Sequence, residues 1–138
     1  MSAEFIDTNV LVYAHDEMAG WKQTAAARLL ERLDREESGA LSIQVLVEFY
    51  ANATKKLQIK AEMAEDVIGH LTSWAIHSPS PADLLRASQL HRRHQIAWWD
   101  ALIVTSAMEL GCSILWTEDL SDGRRFGALT VRNPFKAQ

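Results

Sequence analysis

A chain of 138 residues with 48% hydrophobic residues is long enough for one domain with a real core and too apolar for a disordered tail. Its net charge of −4 argues against a protein that coats nucleic acid through bulk positive charge, but leaves open an enzyme that holds phosphates through local clusters such as Lys55-Lys56, Arg92-Arg93-His94 or Arg124-Arg125. The one cysteine, Cys112, rules out an internal disulfide and multi-cysteine zinc, and its apolar neighbours predict a buried, inert thiol.

In chain order, strand and helix patterns alternate. Ala3 to Ile6 is a short apolar strand, Asp7-Thr8-Asn9 a turn and cap, and Val10 to Ala14 a short helix. Gln23 to Glu36 is a longer helix, with Ala26, Leu29, Leu30 and Leu33 on one face and Gly39 beyond its end. Ala40 to Ser42 reads as a strand. Ser42 or Gln44 starts the next helix, which carries Glu48 and runs to about Lys55. Ala61 to Leu71 is helical and Trp74 to Ile76 a buried strand. Ser80 caps a helix that has Pro81 in its first position and continues to about His94. Asp100 opens an apolar helix, Ala101 to Leu110, closed by Gly111. Ser113 to Trp116 is a strand, 117–125 an acidic loop, and Leu129 to Val131 a last strand before Asn133-Pro134. Such alternation implies an α/β fold with a mainly parallel sheet covered on both faces.

Four acids stand out against this frame: Asp7, Glu48, Asp100 and Asp119. Three interrupt or directly follow an apolar run, where an uncompensated carboxylate costs several kcal/mol. Ligands of open parallel sheets bind beyond the C-terminal strand ends. Asp7 and Asp119 follow strands there, Asp100 sits at a helix start facing that rim, and Glu48 lies on a helix entered from it. Two such charges ~4 Å apart repel by about 4 kcal/mol at an effective dielectric of ~20. A hard divalent cation relieves that repulsion. Oxygen-only ligands favour Mg²⁺ or Mn²⁺, and the nearest histidine pair, His91 and His94, lies on an arginine-rich helix without zinc-ligand spacing. Singly, each Asp reads more simply as a helix cap or turn residue, and Asp100 equally well as a plain N-cap; the four together shift the weight to a site. An alternative reading is a receiver-like Mg²⁺-binding phosphoacceptor domain. That would want adjacent acids after the first strand and a late lysine; here Glu4 precedes the strand rather than joining Asp7, and the late loop offers Arg124-Arg125.

The segments Phe5-Ile6-Asp7-Thr8-Asn9-Val10-Leu11, Leu41-Ser42-Ile43-Gln44-Val45-Leu46-Val47-Glu48-Phe49, Trp99-Asp100-Ala101-Leu102-Ile103 and Leu115-Trp116-Thr117-Glu118-Asp119-Leu120-Ser121-Asp122-Gly123 resemble, in order, those of PIN-domain ribonucleases. The likeness is to the VapC-type toxins of VapBC toxin–antitoxin modules. The closing Val131-Arg132-Asn133-Pro134-Phe135 is also typical. The resemblance implies a PIN-like α/β/α sandwich spanning 1–138 as one domain, with four to five strands. It implies Mg²⁺-dependent cleavage of RNA by metal-activated water, with Mn²⁺ as an alternative ion. Asp7, Glu48, Asp100 and Asp119 would form the metal site, supported by Thr8, Asn9, Ser42 and Thr117. Asp122 or Glu118 remains an alternative to Asp119. Implied partners are an RNA substrate, a cognate antitoxin and a second copy of the chain. No apolar run approaches a membrane span, and Glu4 and Asp7 break any leader-like stretch, so a cytoplasmic location is expected. Trp98 and Trp99 flank the acids: one is expected to pack inward, the other to face the groove or a partner. Trp74 and Trp116 are expected in the core, and Tyr13 and His15 at the site mouth.

Overall fold

A computed structural model describes residues 2–136. Its short strands β1 (Glu4–Ile6), β2 (Gly39–Ser42), β3 (Ala75–His77), β4 (Ile114–Trp116) and β6 (Leu129–Arg132) run parallel, and β5 (Arg125–Phe126) pairs antiparallel with β6. The sheet order is β3-β2-β1-β4-β6-β5. The sheet therefore has six strands against the four to five expected. The extra one, β5, lies at the end of the stretch read as an acidic loop, and a two-residue strand is too short to leave a periodic signal.

Among the described residues six α-helices, and a single 3-10 turn at Glu17–Ala19, complete the fold: α1 (Thr8–Ala14), α2 (Trp21–Arg35), α3 (Ile43–Lys55), α4 (Ala61–Leu71), α5 (Pro81–His94) and α6 (Trp98–Glu109). The chain walks outward from β1 through β2 to β3, then returns past β1 to β4. Right-handed crossovers then place α1–α4 on one face and α5–α6 on the other. The reversal between β1 and β4 is a topological switch point, where such sheets open a crevice at their C-terminal edge. α6 shows no amphipathic stripe because Ala101 to Ala107 are all buried, the polar Thr105 and Ser106 included, so the middle of the helix is enclosed on every side.

Local chemistry sets most boundaries. Ser80 and Asp83 form a reciprocal capping box with Pro81 at the first helical position of α5. Ser42 resolves the two possible starts of α3: its hydroxyl accepts from the amide of Val45. Trp74 precedes β3 rather than lying in it. Its ring packs on Gly39, where a Cβ would come within 2.4 Å of the indole, and its Nε1 donates to Asp34. Val45, Leu46, Phe49 and Ala53 of α3 all face the core. Burial pushes the Cys112 thiol up to about 12, as expected of an inert core cysteine. Among the described residues no helix is long and apolar enough to cross a membrane.

Candidate metal centre

The switch point between β1 and β4 is where the acids meet. Ile6 pairs with Trp116, and the next residues, Asp7 and Thr117, leave the two strands side by side. The Asp7 amide donates to Trp116 O at 3.0 Å, and the Thr117 hydroxyl donates to Asp7 Oδ2 at 2.8 Å. Asp7 is also the N-cap of α1, its Oδ1 accepting from the Thr8 amide at 2.7 Å. That cap starts α1 at Thr8, two residues earlier than its apolar pattern indicated.

Asp100 arrives from the opposite face of the sheet. It is not a cap: α6 begins at Trp98, Ala97 caps it without a side-chain bond, and Asp100 lies third in the first turn. There the helix N-terminus favours a negative charge. Asp119 follows β4, and its backbone amide donates to the Thr117 hydroxyl at 3.1 Å. Asn9 ties the pieces together, its amide donating to Thr117 Oγ1 and Asp119 Oδ2, both at 3.1 Å, and more distantly to Asp7 Oδ2 at 3.4 Å. One carboxylate oxygen from each of Asp7, Asp100 and Asp119 lies within 4.8 Å of the other two.

Glu48 stands beside this trio rather than within it. It lines the same cleft, of about 560 Å³, while its Oε1 accepts from the Thr8 hydroxyl at 2.9 Å and from Gln44 Nε2 at 3.4 Å. Of the two alternatives for the fourth acid, Asp122 points elsewhere, accepting from the Asn133 amide at 2.8 Å. Glu118 lines the cleft but is held by Tyr13 OH at 2.7 Å and Lys22 Nζ at 3.0 Å. Ser42 caps α3 and makes no hydrogen bond to any of the acids among the described residues. Tyr13 lines the cleft, whereas His15 does not. His15 bonds Leu11 O, packs edge-on against Phe49 and opens on a different, more apolar depression beside α2 and α4. Among the described residues, no histidine lines the acid cleft.

The electrostatics follow from this geometry. Asp7 is only 6% exposed, and burial pushes its carboxyl up to about 7, aided by the charges of Asp119 and Asp100 and opposed by the bonds from Thr117 and Thr8. Asp100 is raised as well, first by burial and then by Asp119 and Glu48. Among the described residues none of the four acids forms an ion pair with Lys, Arg or His. The Oδ1 of Asn9 is buried without a hydrogen-bond partner beside them. An all-oxygen donor set with excess negative charge and an unsatisfied carbonyl fits a hard divalent cation.

Sequence reasoning missed Gln44, Asn52 and Asp16 as cleft-lining residues. A signal for the first two was present, since Gln44, Glu48 and Asn52 are spaced four apart on one helix.

Solved structures share this architecture. A toxin–antitoxin complex from Klebsiella pneumoniae superimposes with a TM-score of 0.74 at 20% identity, over 98% of this chain and 100% of that one. VapBC2 from Rickettsia felis, bound to a promoter DNA fragment, gives 0.66 at 22% identity over 95% and 98%. VapC20 from Mycobacterium tuberculosis, a toxin that cleaves the sarcin–ricin loop, gives 0.66 at 17% identity over 82% and 87%. At these identities the likeness is one of fold. No curated protein matches the sequence. The sequence profile of the PIN domain, however, matches residues 5–122, the stretch that runs from β1 through the loop carrying Asp119, and the chain belongs to the PIN-domain family.

Proposed function

We propose that the protein is a Mg²⁺- or Mn²⁺-dependent endoribonuclease that acts as the toxin of a toxin–antitoxin pair. The observation that carries this reading is the convergence of Asp7, Asp100 and Asp119, from three separate elements, on one point, where among the described residues no Lys, Arg or His forms an ion pair with them. Its structural neighbours, toxins solved with antitoxins and one that cleaves an RNA loop, support the same direction.

Asp7, Asp100 and Asp119 would hold the ion, with Glu48 beside them and Asn9 Oδ1 available to a bound water. A divalent ion there supplies Lewis acidity toward a phosphate oxygen and lowers the pKa of water. The chain's own residues set the geometry. Thr117 and the Thr8 amide fix the Asp7 carboxylate, Asn9 links Asp119 to Thr117, and Thr8 with Gln44 orients Glu48. A metal-independent ribonuclease would instead need an acid–base pair, usually histidines, on the 2′-hydroxyl.

By the same reading the antitoxin places a basic side chain near Asp7 and Asp100, because a carboxylate cluster accepts an arginine bidentately. The protein works in the cytoplasm as a homodimer. Ile43, Val47 and Tyr50, exposed along one side of α3, supply an apolar face for that dimer. The test is the cleavage product. Mg²⁺-dependent cutting that leaves 5′-phosphate and 3′-hydroxyl ends and stops in EDTA is expected. Cyclic-phosphate ends formed in EDTA would overturn the mechanism.

A further inference from the structure

The acid cleft has a polar wall of definite length. Gln44, Glu48, Asn52 and Lys56 recur at four-residue steps along α3 and its C-cap, and all four line the cleft. Side chains four apart share one helix face, so this row extends over ~18 Å at 1.5 Å per residue. At one end, Gln44 Nε2 donates to Trp99 O at 3.3 Å. At the other, Lys56 is exposed and makes no ion pair among the described residues. Glu48, beside the Asp7–Asp100–Asp119 trio, lies between them.

The two ends differ in chemistry. Trp98 is half-buried and meets the His91 ring edge-on at 6.3 Å, while Trp99 lines the cleft and is 61% exposed. A tryptophan in water is a large apolar surface, the kind that unstacked bases use as a platform. Charge alone does not draw RNA into this cleft. Its lining includes the acids Asp7, Asp16, Glu48, Asp100, Glu118 and Asp119 against the single lysine Lys56. A contact at the rim that does not depend on net charge adds to what a bound cation and Lys56 supply.

We propose that single-stranded RNA lies along α3, with a base stacked on Trp99 at one end of the polar row, a phosphate held by Lys56 at the other, and the scissile phosphate between them. This rests on the ribonuclease reading above and adds to it the two residues that hold the strand on either side of the cut; a paired base would have no free face for the indole.

The test measures binding of a short, unstructured, fluorescein-labelled oligoribonucleotide to the full chain carrying Asp7→Asn, in Mg²⁺, alongside cleavage by the otherwise native chain. Adding Trp99→Ala is expected to weaken binding by roughly 5- to 150-fold, the range for one base–aromatic stack, while Trp99→Phe retains most of the affinity. Lys56→Gln is expected to flatten the salt dependence by about 0.7 in log–log slope, one phosphate contact on a single strand. In the active chain both changes raise KM more than they lower kcat. If the Asp7→Asn chain binds no RNA and the native chain cuts none, the ribonuclease reading falls and takes this inference with it. If binding and cleavage occur but Trp99→Ala and Lys56→Gln match their parents, the inference alone is overturned. It is likewise overturned if Trp99→Ala dissociates a dimer and leaves RNA affinity per chain unchanged, which would make Trp99 a protein contact. Should Trp99→Ala fail to fold, Trp99→Leu against Trp99→Phe makes the same comparison.

Discussion

Two buried aspartates in this protein face opposite electrostatic fates. Asp83, at the start of α5, accepts from the Ser80 amide and hydroxyl, pairs with Arg86, and lies 3.1 Å from His77 Nε2, whose other ring nitrogen meets the Ser106 hydroxyl at 2.8 Å. The backbone bond from Ser80, with Arg86 and His77, holds its carboxyl down to about 2 against the opposing effect of burial. Burial raises the Asp7 carboxyl to about 7, with its acidic neighbours Asp119 and Asp100 adding to the rise and only neutral donors opposing it. The fold supplies the counter-charges for Asp83 itself and leaves those for Asp7 to something outside the chain. Asp83 is therefore architecture, and Asp7 is the one of the two that fits the metal site proposed above. The Ser106–His77–Asp83 string has the composition of a hydrolase triad, yet Ser106 is fully buried within α6 and presents no hydroxyl to a substrate.

The largest expected effect separates these two roles. Asp100→Asn is expected to reduce Mg²⁺-dependent RNA cleavage to background while the protein remains folded. Asp83→Asn is expected to lower the thermal unfolding midpoint by several degrees yet leave cleavage at permissive temperature intact. Parallel circular dichroism and cleavage assays make the comparison, and it breaks if both variants lose the same property.

The next effect is on pH dependence, and its sign differs between the two aspartates. A carboxyl raised from 3.8 to about 7 binds a proton more tightly when folded, so the stability it contributes is present below pH 4 and lost as pH rises toward 7. A rise from 3.8 to about 7 corresponds to roughly 4 kcal/mol. Metal-free protein is thus expected to gain stability as pH falls from 7.5 to 5, and Asp7→Asn to flatten that rise. Asp83, lowered from 3.8 to about 2, contributes stability above pH 4 that disappears as pH falls through 2. Asp83→Asn should remove part of the acid-side loss only. Chemical denaturation across pH, in chelator, checks both limbs; a wild-type profile that is flat from pH 5 to 7.5 would contradict the Asp7 half.

A smaller effect tests the neutral donors. Thr117→Val removes the hydroxyl that bonds Asp7 and receives the Asp119 amide. Loss of such an orienting group is expected to reduce activity or metal affinity by roughly 10- to 100-fold. Titration with Mn²⁺ distinguishes weakened binding from slowed chemistry. The smallest expected effect is none: Asp122→Asn should leave cleavage unchanged, since that carboxylate caps the Asn133 amide. A large loss there would reopen the choice of the fourth acid.

Features that depend on near neighbours were legible in the chain alone. Apolar runs and capping residues marked most of the strands and helices, and Asp7, Asp100 and Asp119 were legible because each closes a strand or opens a helix where chain direction fixes its edge of the sheet. Only tertiary structure decided the choices between adjacent side chains. Trp98 turns inward and Trp99 outward; Asp119 joins the trio while Glu118 goes to Lys22 and Asp122 to Asn133; His15 faces away from the acids although it closely follows Asp7. Neighbouring residues in a loop or first turn have similar local propensities but point in different directions, and the rotation that selects among them is set by packing against elements distant in sequence. The same holds for the contrast between Asp7 and Asp83. Both are acids at helix starts by sequence, and their opposite shifts come from what folding places around each: burial, with Asp119 and Asp100 adding to it, raises Asp7, whereas the Ser80 backbone bond, with Arg86 and His77, lowers Asp83.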